Sequence, residues 1–120
     1  MTKNKLATRC PIAYSAELFG DRWSLVIVRD MLMGKKRFGE FLESAEAITA
    51  SVLTVRLTQL ENAELIAKVP YQSNPLRYEY SLTVKGGRLL PVLQAISEWG
   101  SCNFAHVRHP PDKFMKMTVS

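Results

Sequence analysis

Long apolar runs are absent from these 120 residues. No stretch nears the roughly 18 apolar residues that a membrane-spanning helix needs. The opening MTKNKLATRCP carries charges but no apolar segment of a secretion signal. Cysteine is scarce, with Cys10 and Cys102 the whole supply. Without a secretion signal these read as cytosolic thiols, not a disulfide scaffold, so a cytoplasmic protein without a membrane partner is expected. The motifs of catalysis are missing too: no GxxxxGK(S/T) phosphate loop, no GxSxG elbow, no HExxH zinc site. No paired carboxylates stand out, and the Gly86-Gly87 pair is too isolated for a nucleotide loop. Cys102, His106 and His109 have i, i+4, i+7 spacing, but Pro110-Pro111 and the missing fourth ligand argue against a metal. Neither an enzyme, a cofactor nor a metal is expected.

What is present is 47% hydrophobic residues, a formal charge of +5 and a pI near 9.4. That content supports the core of one domain. The positive balance favours an acidic partner such as nucleic acid or an anionic surface. Pro11 suits the first turn of a short helix over 11–19, ending at Gly20. Asp21 is a candidate N-cap for a helix over 22–33, with Trp23, Val26, Ile27, Met31 and Leu32 as its apolar face and Gly34 closing it. A short helix over 38–45 carries Phe38, Phe41 and Leu42. Thr49 then caps a helix running to 62. Strands are expected at 66–69 and 77–82, separated by the turn-rich segment 70–75. Thr83 can cap a last helix to about 104, weakened at Gly86-Gly87 and kinked at Pro91. Trp23 and Trp99, at helical apolar spacing, read as core or dimer-interface residues. Residues 1–9 form a basic arm, 10–104 the domain, and 105–120 a tail expected to be mobile.

The helix over 49–62 is unusual. Leu53, Leu57 and Leu60 form an apolar stripe. The opposite face, Ser51, Thr54, Val55, Thr58 and Asn62, is short and uncharged, whereas a solvated helix face usually carries long charged side chains. Helices 38–45 and 49–62 cross through Phe41, Leu42 and Ile48, and their connection is brief. That is a helix-turn-helix, and the hairpin after it is a wing. A major groove about 12 Å wide admits a helix whose outer face is not bulky. Thr49, Ser51, Thr54, Val55 and Thr58 are therefore the candidate base-reading residues. Lys35, Lys36, Arg37, Arg56, Lys68, Asn74 and Arg77, around that face and on the wing, are candidate phosphate contacts. For Arg56 a structural pairing with a carboxylate such as Glu61 stands equally open.

The stretches Cys10-Pro11, GDRWSLVIVR (20–29), GKKRFGEF (34–41), Ile48-Thr49 with LTVRL (53–57) and Leu60-Glu61, YEYSLT (78–83) with Lys85-Gly86, and Trp99-Gly100 occur in an order and spacing that resemble the HxlR-type family of bacterial winged-helix transcription regulators. The likeness covers residues 9–100. One departure is Glu64, where the family usually has Gly, which implies a different turn or some strain. The expected fold class is α+β, mainly α: a winged helix-turn-helix with a two-stranded wing and N- and C-terminal dimerisation helices. The resemblance implies a homodimer paired through its terminal helices. The near-heptad seam Leu89, Leu93, Ile96, Trp99 supports that independently. Two-fold pairing would set the recognition helices roughly one DNA turn, ~10 bp, apart.

The expected function is a sequence-specific regulator binding double-stranded DNA on a two-fold operator. The alternative is a winged helix serving protein–protein contact alone. Repression, activation and a small-molecule effector stay open. Cys10, at a helix N-terminus beside Arg9, has the setting of an activated thiolate. Some members of the resembling family sense oxidants or electrophiles through a cysteine at this position. Cys102, on the terminal helix, is its candidate partner across the dimer.

Overall fold

The computed structural model describes residues 8–119, so most of the expected basic arm lies outside the described residues. The chain runs α1 (Pro11–Phe19), α2 (Ser24–Leu32), α3 (Phe38–Leu42), α4 (Ala50–Asn62), β1 (Ile66–Ser73), β2 (Leu76–Leu82), α5 (Val84–Gly87), α6 (Leu90–Asn103) and α7 (Asp112–Met115). The α+β, mainly helical fold class holds, with the hairpin directly after the helix-turn-helix.

Local chemistry sets the element ends. Trp23 and Ser24 donate their backbone N–H groups to Asp21 Oδ1 at 2.7 and 2.8 Å, so Asp21 satisfies free donors at the start of α2 although it stands two residues ahead of the cap. Gly34, at φ 108°, turns the chain out of α2. Thr49 caps α4, its hydroxyl oxygen accepting from the Val52 N–H at 3.4 Å. At the other end of α4, Leu65 N–H bonds Leu60 C=O and Glu64 N–H bonds Glu61 C=O, the paired bonds of a Schellman motif. Glu64 occupies its left-handed position at φ 63°. The turn is thus the one glycine would make, and Glu64 carries the strain.

The core joins Ile27, Val28 and Met31 of α2 to Phe41 of α3, Leu53, Leu57 and Leu60 of α4, and Leu90 and Leu93 of α6. Residues i, i+4 and i+7 of α4 face inward because they share one side of a 3.6-residue period. Within the hairpin Ile66 pairs with Leu82 and Ser73 with Leu76, with a register shift between Pro70 and Gln72.

Four expectations change. The wing strands extend through most of the segment read as turn, because the irregularity at Pro70–Gln72 lets pairing resume beyond the proline. The helix over 38–45 stops at Leu42. Pro91 does not kink a continuous helix: α5 ends at Gly87 and Pro91 opens α6, where a missing N–H costs no helical hydrogen bond. Residues 105–119, expected as a mobile tail, pack back on the domain. Phe114 is 5% exposed, and Gln94 Nε2 donates to the carbonyls of Phe114 and Met117, both at 3.0 Å.

Candidate nucleic-acid interface

Burying Leu53, Leu57 and Leu60 turns Ser51, Thr54, Val55 and Thr58 outward, and all four are exposed, as is Thr49 at the cap. Their hydrogen bonding is specific. Thr54 Oγ donates to Ala50 C=O at 2.9 Å, and Thr58 Oγ donates to Thr54 C=O at 3.0 Å. With each hydroxyl proton committed to the preceding turn, the two oxygens present lone pairs outward. Asn62, read on the same face, closes the helix.

The helix is held on its base by an ionic clamp. Arg29 of α2 donates from Nη1 and Nη2 to Glu46 Oε2 and Oε1 at 3.0 and 2.9 Å, and from Nη2 to the buried Asp30 at 2.7 Å. Ser44 Oγ adds 2.6 Å to Glu46. The Arg29 and Ser44 hydrogen bonds hold the Glu46 carboxyl down at about 2. This clamp fixes the turn in which Ala47 takes φ 62°. Sequence reasoning missed it; the signal was an Arg-Asp pair inside the apolar stretch 25–32.

The candidate phosphate contacts divide. Arg77 and Asn74 sit exposed near the wing tip. Lys68 lies 4.5 Å over the Tyr78 ring. Lys36 and Arg37 are built into the wing: Tyr80 N–H bonds Lys36 C=O at 2.7 Å, Arg37 forms a bridge to Glu79, and the Arg37 guanidinium reaches Glu79 at 2.9 Å while stacking 3.9 Å over Tyr71. Lys36 Nζ is 3.9 Å from the same carboxylate, and Lys35 Nζ is 3.7 Å from Asp30. Glu40 accepts the N–H groups of Lys36 and Arg37, which hold its carboxyl below the ordinary value. Arg56 meets protein partners in this structure. Its Nε lies 3.4 Å from Asp21, off the hydrogen-bond line, and Nη1 donates to Gln59 at 2.6 Å; the carboxylate it meets is Asp21, not Glu61.

A sequence model described as HxlR-like helix-turn-helix matches residues 18–108. The chain belongs to that family. The family and its relatives are transcription regulators, not enzymes. The HxlR-like chain is 37% identical over 92 residues to the HTH-type transcriptional regulator sll1512 of Synechocystis sp., covering 77% of this chain and 68% of that one. The crystal structure of the candidate transcription factor PA1607 superposes with a TM-score of 0.77 at 37% identity, over 92% of this chain and 73% of that chain. The redox regulator HypR in its reduced form gives 0.72 at 34% identity, over 78% and 93%.

The expected terminal seam is divided between two faces. Leu93 is 6% exposed and Leu89 packs against the core, so these two serve the chain's own interior. Ile96 and Trp99 are 50% and 62% exposed, and Trp99 meets Phe104 edge-on at 5.5 Å. Helix α1 buries none of its residues. Trp23 sits partly buried against the core under the Arg22 guanidinium. Cys10 and Cys102 are both free and exposed. Cys10 is the N-cap of α1, and the N–H groups of Ala13 and Ile12 lower its thiol pKa. No helix among the described residues is long and apolar enough to cross a membrane.

Proposed function

We propose that this chain is a sequence-specific DNA-binding transcription regulator that acts as a homodimer on a two-fold operator. The observation that carries the reading is the outer face of α4: short, uncharged, with the Thr54 and Thr58 hydroxyl protons tied back to the helix. Oxygens so oriented accept from adenine N6 or cytosine N4, and Val55 suits a thymine methyl. Arg77, Asn74 and Lys68 on the wing, with Lys36 at its base, supply phosphate contacts. The exposed side of α6, Ile96 and Trp99, together with α1, is the pairing surface.

Anisotropy titrations with DNA from upstream of the chain's own gene, against random duplex, test this. Thr54→Ala should weaken cognate DNA more than random DNA, by about 1–3 kcal/mol for a lost base contact. Arg77→Ala should weaken both alike and flatten the salt slope by about one. Binding that ignores salt would favour the rival reading, a winged helix used for protein contact alone.

A second reading rests on Cys10. An exposed thiol lowered by helix N–H groups is a preferred target of oxidants, and HypR, a named redox regulator, is similar in fold and sequence. Oxidation would join Cys10 to Cys102 of the partner subunit, given Cα atoms within about 7 Å. Non-reducing electrophoresis after diamide should show a linked dimer with altered DNA binding, lost in Cys10→Ser. A wild type that stays unlinked and binds DNA as before would exclude the switch.

A further inference from the structure

The family match ends at residue 108, yet the chain continues and that continuation is built into the fold. Phe114 inserts beside α6, and Gln94 holds the tail by its backbone carbonyls. Beside the docked tail is a cavity of about 480 Å³. Leu25 and Val26 of α2 line one side, Ile96 of α6 another, and Val107 and Phe114 of the tail close it. The volume lies within the range of small-molecule sites, roughly 300–1,000 Å³.

Charge on this cavity is of one sign. Arg29 and Arg108 reach it together with the His109 ring, and its lining contains no carboxylate. The Arg29 guanidinium is already engaged by Asp30 and Glu46. Arg108 and His109 are exposed, and neither forms an ion pair among the described residues. An aliphatic and aromatic wall with the unpaired Arg108 guanidinium and the His109 ring at its edge complements a molecule with an apolar body and one anionic end. We propose that this cavity binds a small hydrophobic monocarboxylate, its carboxylate held by Arg108 and His109 and its body against Leu25, Val26 and Phe114. The occupant would pin the tail to α2 and α6, so binding stabilises the docked tail by linkage.

The test uses the full chain and 2-naphthoate as the probe, with the uncharged 2-naphthamide as its control, followed by isothermal titration calorimetry. Saturable naphthoate binding is expected, about tenfold tighter than the amide, because a charge-assisted contact is worth about a tenfold change in affinity. Arg108→Gln, at an exposed position, should lose about the same factor while its thermal unfolding without ligand stays unchanged. Phe114→Ala, which removes a wall, should lose naphthoate binding altogether. Three results overturn the proposal: no naphthoate binding to wild type at millimolar concentration, as when a second copy covers the cavity; equal affinity for acid and amide; or unchanged affinity in the Arg108→Gln, His109→Gln double variant. DNA binding is not the readout, so failure here is separate from failure of the regulator reading.

Discussion

Helices α4 and α6 are almost equal in length, 13 and 14 residues, and each buries three side chains: Leu53, Leu57 and Leu60 in one, Leu90, Leu93 and Ser101 in the other. Turned inward they are near equivalents. Turned outward they are opposites, because α4 shows Ser51, Thr54 and Thr58 around a single Val55, whereas α6 shows Val92, Ile96 and Trp99. The inner stripe holds a helix in place and tells little of its purpose. The outer stripe records what chemistry each face offers a neighbour, hydrogen-bonding groups in one case and apolar side chains in the other.

Sameness on the inner side should give the largest effects. Leu57→Ala and Leu93→Ala should each destabilise the fold by about 2–5 kcal/mol in urea unfolding, the range for buried leucines that leave a cavity. A much smaller loss for Leu93 would mean that α6 does not share the core on equal terms. Difference on the outer side comes next. Trp99→Asp should weaken self-association by roughly 2 kcal/mol, about thirtyfold, in sedimentation equilibrium. Thr58→Asp on the outer face of α4 should leave association unchanged. Were both variants to behave alike, the two outer faces would not be distinct in role.

The helix ends sharpen the contrast further. Helix α4 closes through Glu64 at φ 63°, while the cap of α6, Phe104, is extended at φ −130°. Glu64→Gly should therefore raise stability by about 1 kcal/mol through relief of left-handed strain, and Phe104→Gly should not. A lower melting temperature for Glu64→Gly would show that the 3.6 Å ion pair of Glu64 with Lys85 outweighs the strain.

The last contrast concerns acid. The turn before α4 is held by the Arg29–Glu46 pair, whereas the tail against α6 is held by the neutral Gln94 amide. The Glu46 carboxyl titrates near 2, below its ordinary 4.5. Its contribution is present above pH 4.5 and is lost as pH falls from there toward 2. Glu46→Gln should flatten the stability profile across that window, and Gln94→Ala should lower stability by the same amount at every pH. An unchanged slope in Glu46→Gln would remove the clamp from the acid response.

Much of this arrangement was legible in the chain. Thr49, Gly34 and Thr83 mark their ends through local chemistry that does not wait for tertiary contacts, and the period of Leu53, Leu57 and Leu60 sets which side of α4 is open. The unforeseen parts depend on distant partners. Phe114 looked like one aromatic in a Pro-interrupted tail until α6 and Gln94 gave it a site. Leu93 fits a heptad seam as well as a core, and only α2 packed beside it decides. Arg56 could face phosphate or protein, and the carboxylate beside it, Asp21, stands 35 residues earlier, beyond any local reading. Pro91 was read as an interruption because a helix start beside a helix end resembles a kink in sequence.

The latch at the base of the wing has a mechanical consequence. Thr83 Oγ donates to Glu64 C=O at 2.8 Å, Thr83 N–H to Leu65 C=O at 3.0 Å, and Gly86 lies so close to Leu65 that any side chain there would collide with its carbonyl oxygen. The end of α4 and the beginning of the C-terminal helices are thus fastened at one point, with no slack segment between them. The distance between α5 and the end of α4 is thus set by the missing side chain of one glycine, and a methyl group at Gly86 would have to prise that joint open.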